Sequence, residues 1–183
     1  MRQVMPLGCV TGRFQPVHAQ HLALFDTALA HCGHLVVAVT NPDSGARRQE
    51  AASAHRHTAA ANPFTYFERV LVLQAALDER GLTGRATIVP FDLARPVLWA
   101  EYVPLSARQF VRAYSDWERE KARRLAAAGY AVTLLDGDSA LRLSSSDIRA
   151  RMWSGDEWQQ LVPVATVPVL RRLLADVPIR DRG

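Results

Sequence analysis

The sequence predicts an α/β fold, a doubly wound parallel five-stranded sheet with helices on both faces. Three observations predict it. Short, continuous apolar runs such as residues 6–10 and 34–40 read as strands covered on both sides. These runs alternate along the chain with segments of helical periodicity, the order that builds parallel sheets. At residues 6–30 a strand, a tight glycine turn and a helix follow one another directly, which brings helix N–H groups to the end of a strand.

In chain order, residues 6–10 form the first strand and 22–30 a helix, and 34–40 is the second strand. Residues 41–62, rich in Ala, Arg, Ser and His, form a loop long enough to be a lid or a functional insertion. Thr65 and Glu68 fit a capping box, and apolar Val70, Leu71, Leu73, Ala76 and Leu77 carry the helix to Gly81. The third strand is 86–90, a short helix over 96–103 carries Trp99, and the fourth strand is 109–114. A charged helix over 117–128 ends at Gly129, the fifth strand is 130–135, and helices at 146–154 and 164–174 close the chain. This is one Rossmann-like domain over 1–183, with an insertion at about 41–62 and C-terminal helices at about 146–175. Ligands of such sheets bind beyond the carboxyl ends of the strands. Residues 12–21, 40–43, 91–92, 115–116 and the Ser144 region are therefore expected at one edge.

The length of 183 residues suits one domain, and 49% hydrophobic with 22% charged residues is ordinary for a globular protein. No apolar run is long enough to span a membrane, and no signal peptide is recognised, so a cytoplasmic protein with two reduced, buried thiols at Cys9 and Cys32 is expected. The net charge is +4 and, of 22 basic residues, only Lys121 is a lysine. Arginine bias accompanies GC-rich genomes, but Arg is also the better bidentate partner for phosphate and carboxylate. No aromatic or basic nucleic-acid motif is present, so no nucleic-acid partner is expected. No Cys/His spacing suggests zinc, so no protein-held metal is expected.

The chemistry concentrates at Gly12-Arg13-Phe14-Gln15-Pro16-Val17-His18-Ala19-Gln20-His21. His18 and His21 are three apart and share one face of a first helical turn. Two imidazoles and a guanidinium beside a helix N-terminus suit a reacting polyphosphate, although histidines at this spacing are also ordinary surface or core residues. A second anion site is expected at Leu143-Ser144-Ser145-Ser146-Asp147-Ile148-Arg149, where hydroxyls open a helix and Arg149 sits one turn in. Plain helix caps have the same composition.

The first segment resembles the signature of the nucleotidylyltransferase superfamily whose hallmark is His-x-Gly-His. Gly-Arg-Phe-Gln-Pro-x-His within it is similar to nicotinamide mononucleotide (NMN) adenylyltransferases of the archaeal type. The second segment resembles the family's Ser-x-Ser/Thr-x-Ile-Arg phosphate signature. Asn62-Pro63-Phe64-Thr65 with Glu68-Arg69, Leu98-Trp99, and residues 149–152 and 158–163 are similar to the same family. The resemblance implies nucleotide binding by Gly12, Phe14, Gln20, Ser144, Ser146 and Ile148, and catalysis by Arg13, His18, His21 and Arg149. It implies acceptor contact by Trp99, which read alone is equally a core aromatic.

The chain departs from that pattern at Gln20, which replaces the signature Gly beneath the base, at residues 41–62, and at Ser115-Asp116-Trp117-Glu118. The changed segments surround the acceptor position. Asn41, Asp43, Arg47, Arg48, His55, Arg56 and His57 suit a smaller, denser anion, which resembles the phosphonate cytidylyltransferases of natural-product pathways; a solvated surface loop has the same composition. The expected reaction is attack by a phosphonate or phosphate oxygen on the α-phosphorus of a nucleoside triphosphate, with Mg²⁺ carried mainly by the triphosphate. CTP with a phosphonoformate-type acceptor is the first reading, ATP with NMN the second, and an inactive nucleotide sensor the third. The superfamily often forms homo-oligomers, so self-association is an open expectation here.

Overall fold

The computed structural model describes residues 6–48 and 56–176. Its five strands are β1 (Leu7–Gly12), β2 (His34–Thr40), β3 (Ala86–Phe91), β4 (Arg108–Ala113) and β5 (Val132–Asp136). They form one parallel sheet in the order β3-β2-β1-β4-β5. The helices are α1 (Ala19–Leu29), α2 (Tyr66–Glu79), α3 (Trp99–Tyr102), α4 (Asp116–Ala127), α5 (Ser145–Ser154) and α6 (Thr166–Asp176).

Strand pleating divides the apolar runs between two cores. Val10, Leu35, Val37, Val39 and Phe110 face one side, against Phe25 and Ala28 of α1, Leu73 of α2, Ile148 of α5 and Leu170 of α6. Cys9, Val36, Ala38, Phe91 and Val111 face the other, against Trp99 of α3 and Leu125 of α4. This double burial is why β1 and β2 read as unbroken apolar runs. β3 tolerates Pro90 because its free edge needs no donor there. Cys9 and Cys32 are both buried free thiols.

The element order follows the expectation and the ends shift by at most three residues. α1 starts at Ala19 rather than at 22, because His18 itself is its N-cap, in extended backbone at φ −146°. Thr65 and Glu68 form the expected reciprocal capping box of α2. Trp99, expected at the acceptor, is instead 2% exposed within the second core, stacked on Phe91, with its indole N–H given to the Asp92 carbonyl. Ile148, expected to meet nucleotide, is fully buried in the first core. Among the described residues no helix is long and apolar enough to cross a membrane.

The order in which strands are added reverses between β1 and β4. β1 leads to β2 by way of α1, while β4 leads the other way through α4 to β5. The carboxyl ends of β1 and β4 therefore diverge, leaving a crevice between their loops.

Candidate active site

A cavity of about 680 Å³ occupies that crevice, a size typical of a nucleotide-scale ligand. Gly12, Arg13, Phe14, His18, Gln20 and His21 line it from the β1 side. Tyr114, Ser115, Trp117, Glu118 and Lys121 line it from the β4 side, and Arg142 with residues 143–147 from the start of α5.

The loop from β1 to α1 is held from three directions. Gln15 bonds both backbone groups of Phe64, Nε2 to the carbonyl at 2.8 Å and the amide to Oε1 at 3.0 Å. Ser145 donates to the Pro16 carbonyl at 2.9 Å and Arg149 to the Gln15 carbonyl at 2.8 Å. Phe14 sits at φ +51° with its ring folded over Gly12. A Cβ on Gly12 would come within 2.8 Å of that ring, so only glycine leaves the space.

Arg69 ties the strand ends together. It is 1% exposed and donates to the carbonyls of Arg13 (2.9 Å), Thr40 (2.8 Å), Asn41 (2.8 Å) and Thr65 (3.2 Å). A guanidinium has five donors in a fixed fork, and no other side chain could join four carbonyls in this way.

The two histidines stack, with ring centroids 3.8 Å apart, and Phe14 meets His21 edge-on at 4.9 Å. The His18 N–H donates to His21 Nδ1 at 3.2 Å. His18 Nδ1 is buried with no hydrogen-bond partner among the described residues. Burial, with Arg142 nearby, pushes His18 down to about 4. Burial, then His18, Lys121 and Arg13, hold His21 well below the ordinary histidine range. Both rings are therefore neutral at pH 7, each with one N–H to give.

Five basic residues line the cavity, Arg13, Arg56, Arg112, Lys121 and Arg142. Glu118 pairs with Arg142 at 3.0 Å and with Arg56 at 3.8 Å. Burial works to raise the Glu118 carboxyl, but the Ser115 hydroxyl and the two guanidiniums hold it below the ordinary range. Burial, then Arg56, Arg149 and Arg69, lower Arg13 to about 9, still protonated at neutral pH. Two carboxylates, Glu118 and Asp147, among five basic residues leave a net positive crevice.

The expected site residues divide. Gly12, Arg13, Phe14, His18, Gln20, His21, Ser144, Ser146 and Arg56 line the main cavity. Asn41 and Arg48 line an adjoining recess shared with Arg13, Arg56 and Trp117. Arg149, expected to reach phosphate, instead braces the site from behind through the Gln15 carbonyl and, at 3.1 Å, the Ser146 hydroxyl. Asp43 is exposed and caps a short 3-10 turn, accepting from the Ala46 N–H at 3.0 Å. Arg47 and His57 line neither space, and each has a buried ring or guanidinium nitrogen without a hydrogen-bond partner among the described residues. His55 lies outside the described residues.

Lys121, Arg142, Tyr114, Trp117 and Arg69 are site elements to which the sequence assigns no individual role. The changed segment at 115–118 was the available signal, since it opens the helix that delivers Trp117 and Lys121. Gln20, the other departure, spans to the loop after β5. Its Nε2 donates to the Leu141 carbonyl at 2.7 Å, while its Oε1 accepts from the Leu143 N–H at 2.9 Å and the Tyr114 hydroxyl at 3.3 Å.

A cytidylyltransferase-like family profile matches residues 9–151. The chain is 35% identical over 179 residues to a phosphonoformate cytidylyltransferase of Streptomyces viridochromogenes, covering 97% of each chain. It is 32% identical over 170 residues to a nicotinamide-nucleotide adenylyltransferase of Methanoculleus marisnigri, covering 92% of each. Its backbone is similar to a bifunctional NMN adenylyltransferase/ADP ribose pyrophosphatase from Francisella tularensis, with a TM-score of 0.66 and 13% identity over 95% of this chain. The chain spans about half the length of that protein, 52%. Another structure of the Francisella protein, with a TM-score of 0.61, 14% identity and the same coverage of both chains, is a complex with AMP and a manganese ion.

Proposed function

The chain belongs to the cytidylyltransferase-like family and is a nucleotidyltransferase, and from that premise we propose that it transfers CMP from CTP to a small phosphonate such as phosphonoformate. A phosphonate oxygen attacks the α-phosphorus in line, a new P–O bond forms, and the bond to the β-phosphate breaks to release pyrophosphate. The attacking oxygen is already an anion, so catalysis is positioning and charge neutralisation rather than base chemistry.

The observation that carries the reading is the acceptor end of the crevice. Arg13, Arg48 and Arg56 line the recess beside Trp117, and Arg56 stacks on the Trp117 ring at 3.7 Å. Three guanidiniums with one flat ring favour a compact dianion over a nucleotide. Trp99, the aromatic that the adenylyltransferase reading places at the acceptor, is buried in the core.

His18 and His21 donate N–H bonds to the oxygens of the α-phosphate, and Arg13 spans donor and acceptor. The N–H groups opening α5, with Ser146 and Arg142, receive the leaving pyrophosphate. Gln20 fixes the loop against which the base lies. Among the described residues no three His, Cys, Asp or Glu side chains converge as metal ligands. Mg²⁺ would be held by triphosphate oxygens and water.

Phosphorus NMR of purified protein with CTP and phosphonoformate tests the reading. Coupled signals of a phosphonate–phosphate anhydride with free pyrophosphate are expected. An unchanged spectrum, beside NAD formation from ATP and NMN, overturns it.

A further inference from the structure

Lys121 is the single lysine of the chain, and α4 sets it in the wall of the main cavity. Its Nζ donates to the Thr11 carbonyl of β1 at 3.4 Å and lies 5.3 Å from the centre of the Trp117 ring, the ring on which Arg56 stacks. The groups facing the amine are the Thr11 carbonyl and the Cys9 thiol of β1, His21 of α1, Arg56 from the segment before α2, and Glu118 on its own helix. The Cys9 thiol is neutral, because burial pushes it up to about 12. Glu118 is committed to Ser115, Arg142 and Arg56. Among the described residues no carboxylate lies within ion-pair distance of Lys121.

A half-buried ammonium beside a second cation is costly unless an anion joins them. Its place fits an anion on the acceptor side, since it is near both His21, proposed at the reacting phosphorus, and the Arg56–Trp117 pair at the recess. We propose that Lys121 is an acceptor-binding residue, whose ammonium acts with Arg56 to hold the charged group of the acceptor against the α-phosphorus. The inference rests on the proposed small anionic acceptor and names the residue that recognises it.

The geometry has a pH signature. Burial, and after it the Arg56 charge, lowers the Lys121 amine to about 8 in the free protein. Above that pH the free protein loses the charge, so its affinity for the acceptor in the absence of triphosphate falls as pH rises through about 8. An anion seated beside the amine raises its pKa again.

Lysine labelled with ¹³C at Cε gives one lysine side-chain signal, which reads binding without turnover. The labelled protein is titrated with phosphonoformate alone and with phosphonoformate after α,β-methylene CTP. The signal is expected to shift in at least one series and to titrate at higher pH when the acceptor is bound. In kinetics, K121M is expected to raise the acceptor KM about tenfold or more while the CTP KM stays within about twofold. K121R should recover most of the loss and remove the fall in that affinity above pH 8. A signal indifferent to phosphonoformate in both series, or equal KM changes for both substrates in folded K121M, overturns the inference. If turnover occurs with ATP and NMN instead, the proposed reaction fails, and the same signal titrated with NMN decides the role of Lys121 separately.

Discussion

The His18 backbone N–H donates to Nδ1 of His21 at 3.2 Å. A backbone N–H is always a donor, so Nδ1 is unprotonated and neutral His21 carries its hydrogen on Nε2. The residue that caps α1 thereby sets the tautomer of the second histidine, and Nε2–H is the group that the proposed reaction offers to phosphate.

Substitutions at His21 should follow that atom. H21A is expected to lower kcat by about 10²–10³, the usual cost of one transition-state donor. Glutamine places an amide N–H near Nε2 and asparagine near Nδ1, so H21Q should keep about tenfold more activity than H21N. Equal losses in steady-state assays of the two variants would contradict the tautomer assignment.

Acid should weaken the free protein through the same pair. The unfolded histidines protonate near 6.5, whereas folded His18 does so only near 4 and His21 is also depressed. The folded state thus binds fewer protons between these values, and stability falls as pH drops from about 6.5 towards 4. Above 6.5 these two groups contribute no slope. Thermal melts between pH 7.5 and 4.5 should show a shallower acid loss in the H18Q/H21Q double variant than in the wild type.

Arg69 supports the site without touching the cavity. R69M leaves four carbonyls without their donor, which is expected to cost about 3 kcal/mol, a fall of roughly 6–12 °C in Tm. Calorimetry of R69M and R69K checks this, and R69K should recover only part, because one ammonium cannot match the fork.

Gln20 should act on the nucleotide rather than the acceptor. Its carboxamide is bonded at both ends to the loop at Leu141 and Leu143. Q20A is expected to raise the triphosphate KM about fivefold to tenfold, with the acceptor KM little changed.

Trp117 and Arg56 should behave as a unit. A 3.7 Å cation–π stack facing a cavity is worth about 1–2 kcal/mol. R56A and W117A should each raise the acceptor KM, and the double variant should be no worse than the more affected single one. Additive effects would mean the two side chains serve different groups.

Local signals made the frame legible. β2 was read with its observed ends because both its faces are buried, and the Thr65–Glu68 box marked α2 because a capping box is contained within four residues. α1 starts earlier than its apolar periodicity predicts because a histidine, an uncommon N-cap, takes that position. The site was legible where it lies along one segment, from Gly12 to His21. It was not legible where residues arrive from far along the chain. Lys121 reaches the Thr11 carbonyl across 110 positions, and Arg69 reaches Arg13 across 56. Trp99 could not be sorted by sequence, since an aromatic on a short helix suits either core or ligand, and packing against Phe91 and Tyr130 decided it.

The most direct test of the central claim is pyrophosphate release across a grid of ATP, CTP, GTP and UTP against phosphonoformate, other small phosphonates, NMN and nicotinate mononucleotide, with Mg²⁺. Release with CTP and a small phosphonate alone is the predicted result. Release with ATP and NMN at comparable or greater kcat/KM would contradict it, and would make the Arg56–Trp117 recess and Gln20 tolerated variation around an adenylyltransferase site.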